Sequence, residues 1–179
     1  IYSYGFEHPS NIQKKAIKPM IDGRDIIAQS QSGTGKTGTF VISTIERIES
    51  EKKCPQVIIL SPTRELAKQT MEVCKAMSRL HKDRDIHLAI GGASRSNINR
   101  RFAHLSKKGN DSINSHIIVG TPGRICDIIN KNLLSINQIK NIILDEGDEM
   151  LSIGFYEQII RIIKSVPMET SIQLFSATI

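Results

Sequence analysis

The chain contains no tryptophan, and Phe, Trp and Tyr together supply only 4% of its 179 residues. A protein that recognises nucleobases mainly by stacking them on rings needs more rings than that, so any polyanionic partner is expected to be gripped by its backbone. Cysteine is almost as scarce. Cys54, Cys74 and Cys126 lie far apart and form no CxxC pair. This excludes a disulfide-framed secreted scaffold and predicts reduced thiols in cytoplasm or nucleus. None of the five histidines is spaced with them as a metal site requires. The first residues, IYSYGFEHPS, lack the basic-then-apolar pattern of a secretory signal. No apolar run approaches the roughly 18–20 residues of a membrane span, so a soluble protein without a membrane partner is expected.

What remains is an ordinary globular composition, 39% hydrophobic and 23% charged, with a net charge of +6. That length can bury a core of its own as one domain, and the positive excess tilts toward a polyanion. Six short β-branched runs recur, at 25–28, 57–60, 87–90, 117–119, 141–144 and 172–175. Near-continuous apolarity, in place of alternation, is what strands covered on both faces require. Helical stripes lie between them: Val41, Ile45 and Ile48; Leu66, Val73, Met77 and Leu80; Ile159, Ile162, Ile163 and Val166. Strands alternating with helices predict an α/β fold, a doubly wound parallel sheet with helices on both faces. Ligands of such sheets sit beyond the carboxyl ends of the strands. Polar clusters follow the runs there, at 30–37, 61–65, 120–124, 145–148 and 176–178, whereas the polar stretch 106–115 reads as a solvated loop.

The first cluster reads Ser30, Gln31, Ser32, Gly33, Thr34, Gly35, Lys36, Thr37. Glycines let backbone N–H groups turn toward phosphate oxygens, and a following helix adds its positive dipole end. Lys36 can then reach the β- and γ-phosphates of a nucleotide, with the Thr37 hydroxyl placed for Mg²⁺. The strict G-x-x-x-x-G-K-[ST] pattern has glycine where Ser30 stands. A second cluster ends a buried run with Asp145 and Glu146. An aspartate at such a strand tip can hold Mg²⁺ through water, and the glutamate can orient or deprotonate the attacking water. Asp148 is also suited to capping the helix that follows.

Three further segments are open to two readings from residues alone. Gln13 can donate to and accept from an adenine edge, with Phe6 packing on the base, or it can face solvent. Pro62, Thr63 and Arg64, and likewise Thr121, Gly123 and Arg124, can offer N–H groups and a guanidinium to phosphates, or can simply cap helices.

In order, these segments resemble the DEAD-box RNA helicases, and within them the translation initiation factor 4A group. GFEHPSNIQKKAI is similar to the Q motif, AQSQSGTGKT to motif I, PTRELA to motif Ia, Gly91-Gly92 to the GG element, TPGR to motif Ib and SAT to motif III. The resemblance spans essentially the whole chain. It implies a RecA-like ATP-binding domain over 1–179, the first of two, ending just past motif III, with a second domain outside this chain. It also implies that Gln13 reads adenine with Phe6 in support, that Asp145 holds Mg²⁺ through water and that Glu146 positions the nucleophile. Asp148 would contact Ser176 and Thr178 to couple hydrolysis to domain closure. Thr63, Arg64, Gly92, Thr121 and Arg124 would line the RNA backbone, beside scaffold proteins of translation or mRNA processing as partners. One departure is in the signature tetrad, which reads Asp-Glu-Gly-Asp with Gly147 in place of alanine. Because glycine costs roughly 0.5–1 kcal/mol against alanine in a helix, Gly147→Ala is expected to be mildly stabilising. Two other classes stay in view: a P-loop GTPase or small-molecule kinase, although the Asn-Lys-x-Asp guanine reader is missing at 130–133, and an ATP-gated RNA clamp without productive turnover.

Overall fold

Each of the six β-branched runs forms a strand, and all of them pair in parallel. The structure is a computed structural model that describes residues 7–80, 83–91 and 113–178. Along the chain the elements are α1 (Asn11–Ile21), β1 (Ile26–Gln29), α2 (Lys36–Arg47), β2 (Val57–Leu60), α3 (Arg64–Met77), β3 (Ile86–Ala89), β4 (Ile117–Gly120), α4 (Pro122–Asn130), β5 (Asn141–Asp145), α5 (Gly147–Ser152), α6 (Tyr156–Ser165) and β6 (Ser171–Ser176). The strands lie in the order β1-β6-β5-β2-β4-β3. Phe6, Gly92 and residues 106–112 lie outside the described residues.

The sheet is doubly wound because its side chains feed two cores. On β2, Val57 and Ile59 join Phe40, Val41 and Ile45 of α2 on one face. Ile58 and Leu60 join Ile125 and Ile128 of α4 and Ile159 and Ile162 of α6 on the other. Continuous runs are needed since both faces are buried, and the four residues of β2 are at most 1% exposed. The last helical stripe behaves as expected, with Ile159 and Ile162 buried and Ile163 and Val166 packed beside them.

Three expectations need correction. The buried face of α3 is Ala67, Thr70 and Cys74, while Val73 and Met77 are only partly buried at its flank and Leu80 lies beyond the helix in a 3₁₀ turn. Small side chains let this helix approach the sheet, a signal that a search for large apolar residues passes over. β1 is covered on one face only. Ala28 enters the core but Ile27 is 69% exposed, because β1 is an outer strand of the sheet. Within the stretch read as solvated, Ile113 is buried and forms a bridge to Leu134.

Parallel pairing sends the segments after β1, β2, β4, β5 and β6 out on one edge of the sheet. The register sets their relation: Leu60 stands beside Leu144, Gly120 beside Leu60, and Asp145 beside Phe175. No described helix is long and apolar enough to cross a membrane.

Candidate nucleotide and nucleic-acid site

The loop after β1 is shaped by two glycines with positive φ, Gly33 at 80° and Gly35 at 98°. Gly35 is the N-cap of α2. A Cβ there would be strained by φ and would also lie 2.8 Å from the Gln13 amide nitrogen. Ser30, where the strict motif has glycine, shares a hydrogen bond with the Thr34 hydroxyl, which donates on to the Gln31 carbonyl at 2.7 Å. The serine thus closes the loop with its side chain. The Ser30 N–H also donates to Ser176 O at 3.0 Å, tying the loop to the end of β6. Gln31, Ser32 and Gly33 are exposed, and Thr37 is half-buried in the first turn of α2. The N–H groups that open a helix have no intrahelical partner, so residues 36–38 present donors at this mouth.

Lys36 is 5% exposed, and its ammonium lies 3.1 Å from each carboxylate oxygen of Glu146. These residues are 110 positions apart in sequence. Glu146 adopts φ 53° and ψ 56° as the N-cap of α5. A non-glycine residue in that left-handed region costs on the order of 1–3 kcal/mol and is characteristic of functional sites. Beside it Asp145 is 5% exposed. Burial, followed by the charge of Glu146, pushes its carboxyl up to about 7, against the pull of Lys36 and the Glu146 N–H. Among the described residues no group of three His, Cys, Asp or Glu is arranged to hold a metal by itself.

Asp148, in the first turn of α5, accepts from the Thr178 N–H at 3.1 Å and the Thr178 hydroxyl at 2.6 Å. The Thr178 hydroxyl, with a further contribution from Ser176, holds the Asp148 carboxyl down at about 2. Ser176 is joined to Thr178 by its own hydroxyl. The expected trio is therefore assembled, with Thr178 as its hinge point.

Gln13 is buried, not solvent-facing, at 4% exposure. It completes a capping box on α1: its Oε1 accepts from the Ser10 N–H at 2.9 Å and its own N–H donates to the Ser10 hydroxyl. Its Nε2 donates to Gly35 O at 3.5 Å. The amide is thereby held against the loop after β1. Phe6 lies outside the described residues.

The starts of α3 and α4 meet across an open groove of about 700 Å³ lined by Thr63, Arg64, Glu65, Gly91, Arg124 and Asp127, among others. The capping alternative holds for one of the two hydroxyls. Thr63 Oγ1 accepts from the Leu66 N–H at 3.2 Å, whereas Thr121 makes no side-chain cap bond to α4, whose first turn carries Pro122. Pro62, Thr121 and Gly123 also line the groove, so every expected residue of this group that is described is gathered there; Gly92 lies outside the described residues. Glu65, Asp127 and Phe155 also line it without having been foreseen. The spacing of Asp127 three residues after Arg124 was a legible signal, since i and i+3 meet on a helix; Phe155 carried none.

A profile of the DEAD/DEAH box helicase family matches residues 10–179. The chain is similar to the ATP-dependent RNA helicase eIF4A of Eremothecium gossypii, 48% identical over 99% of this chain and 42% of the relative. Among solved structures it is similar to Dbp5 of S. cerevisiae bound to RNA and ADP BeF3, with TM-score 0.87 and 37% identity, covering 100% of this chain and 43% of that one. A Dbp5 variant bound to Nup159, Gle1, IP6 and ADP gives the same TM-score of 0.87 at 37% identity, over 100% of this chain and 45% of that one. The chain thus spans less than half the length of the relatives it matches.

Proposed function

The chain belongs to the DEAD/DEAH box helicase family, and on that premise we propose that it is the ATP- and RNA-binding half of an ATP-dependent RNA helicase. The observation that carries this is the meeting of the phosphate loop with the acidic strand end, Lys36 against Glu146 and beside Asp145. The eIF4A and Dbp5 relatives support both ligands, the latter with RNA and ADP BeF3 bound.

The triphosphate of ATP takes Lys36 from Glu146, and the opening N–H groups of α2 receive its oxygens. Gln13, held at the loop by Gly35, reads the adenine edge, and Phe6 packs on the base. The released Glu146 orients the attacking water and accepts its proton. The water oxygen bonds to the γ-phosphorus as the bond to the β–γ bridging oxygen breaks, leaving ADP and inorganic phosphate. The donor set fits Mg²⁺, since the Thr37 hydroxyl and the buried Asp145 carboxylate are hard oxygens: Thr37 would hold it, and Asp145 would do so through water. Mg²⁺, when bound, supplies charge neutralisation at the β- and γ-phosphates.

The Asp148–Thr178 pair then transmits the phosphate state to a second RecA-like domain of the same protein. Arg64, Thr121 and Arg124, with Gly92, hold the sugar-phosphate backbone, which carries position without sequence. The Dbp5 complex with Nup159 and Gle1 supports scaffold proteins as partners, here in translation or mRNA processing, in cytoplasm or nucleus.

Comparison of residues 1–179 with the full-length protein tests this. The fragment is expected to bind ATP yet turn over little, since transition-state stabilisation by an arginine finger is typically worth ~10³–10⁵ in rate. RNA-stimulated multiple turnover by the fragment alone would overturn the two-domain account. Full-length Arg64→Ala and Arg124→Ala should weaken all RNA sequences about equally, and a loss confined to one sequence would contradict backbone recognition.

A further inference from the structure

The groove that gathers Arg64 and Arg124 is not simply basic. Among the described residues Glu65 and Asp127 line it as well, so two carboxylates stand beside two guanidiniums where phosphates would pass. Asp127 goes further than proximity. Its Oδ2 is paired with Arg124 Nη1, and its Oδ1 receives Lys131 Nζ at 2.6 Å. The three residues stand at i−3, i and i+4 along α4 and its C-cap, on one helical face. Lys131 first and Arg124 second hold the Asp127 carboxyl below the usual carboxylate range. The Arg124 side chain is only 16% exposed, which leaves its guanidinium few routes to a phosphate that avoid the carboxylate.

We propose that Asp127 is a latch on the RNA grip: without RNA it occupies Arg124, and a backbone phosphate must take Arg124 from it. This rests on the reading of the groove as the RNA site. Lys131 makes the exchange tolerable, because Asp127 keeps one cation when it releases the other. An isolated phosphate competes poorly for a guanidinium already paired. A continuous strand that engages Arg64 and the loop N–H groups at the same time raises the effective concentration of phosphate at Arg124 and wins. Asp127 thereby sets the threshold that separates a bound strand from adventitious anions.

The test uses the full-length protein, a fluorescent ten-nucleotide oligouridylate and a potassium chloride series. Asp127→Asn is expected to tighten binding about two- to fivefold, the scale of one partly exposed ion pair. The carboxylate no longer cancels part of the phosphate neutralisation, so the log–log salt slope should steepen by as much as ~0.7. Asp127→Ser, which offers Arg124 no amide oxygen, should move both quantities in the same direction. In the Arg124→Ala background Asp127→Asn should give no gain, since nothing is left to release. If Arg124→Ala weakens binding but both Asp127 variants leave it unchanged or weaker, the latch is wrong and Asp127 merely orients the arginine. If Arg124→Ala leaves RNA binding intact, the groove is not the RNA site and the latch falls with it.

Discussion

The Lys36 ammonium sits 3.1 Å from both carboxylate oxygens of Glu146, so the cation proposed to bind phosphate is paired with the residue proposed to activate water. On that proposal each blocks the other until a triphosphate separates them. The pair keeps a buried lysine, 5% exposed, from being left as an uncompensated charge.

Glu146→Gln should therefore have opposite effects on binding and turnover. Loss of the carboxylate releases Lys36, and ATP affinity should rise a few-fold in a fluorescent-nucleotide titration. Loss of the base should lower full-length ATPase by about 10²–10⁴. Turnover near the parent rate would remove Glu146 from the chemistry.

Adenine preference can be separated from helix capping. Gln13 both caps α1 with Ser10 and reaches Gly35. Displacement of a labelled nucleotide should favour ATP over GTP, and Gln13→Ala should erase that preference while also lowering the melting temperature. Ser10→Ala should cost about 1 kcal/mol of stability, lowering the melting temperature, and keep the preference. Equal displacement by ATP and GTP in the parent would sink the adenine assignment.

A pH dependence follows from Asp145. Its folded-state pKa is raised to about 7, above the unfolded value of about 3.9. The sign is that of a raised group: its contribution is fully present below pH ~4 and is lost as pH rises through about 7. Asp145→Asn, which stays neutral, should melt higher than the parent above pH 7 in nucleotide-free protein, with the difference vanishing below pH ~4. Melting curves with the same gap at both ends would contradict a buried, raised carboxyl.

The glycine of the tetrad is tightly packed. A Cβ on Gly147 would fall 2.1 Å from Leu174 Cδ1 and 3.3 Å from its Cγ. The propensity gain anticipated for Gly147→Ala is thus opposed by overpacking, whose usual cost of roughly 1–3 kcal/mol exceeds the gain unless Leu174 rotates freely. Gly147→Ala should lower the melting temperature by a few degrees and leave full-length ATPase within a few-fold, because Asp145, Glu146 and Asp148 keep their side chains. With Leu174→Val added, the double variant should melt above Gly147→Ala alone. A single variant that melts higher than the parent would show that Leu174 yields at no cost.

The amino-acid sequence alone determined the element types and the chemical inventory, since both are local. Val57 to Leu60 is apolar throughout because it is buried on both faces, and the glycines and Lys36 lie within one loop whose order carries its meaning. α3 was legible as a helix but its buried face was not, because Ala67, Thr70 and Cys74 serve by being small and not by being greasy. Tertiary structure decided what stands beside what. Nothing local places β6 between β1 and β5, yet that order brings Thr178 to Asp148 and Ser30 to Ser176. Lys36 meets Glu146 across 110 residues for the same reason: parallel strands are chosen by the packing of helices on both faces, which depends on the whole chain. Leu174 lies against Gly147, and Arg64 faces Arg124 across a groove shared with Asp127, through contacts between side chains distant in sequence, which no periodicity records.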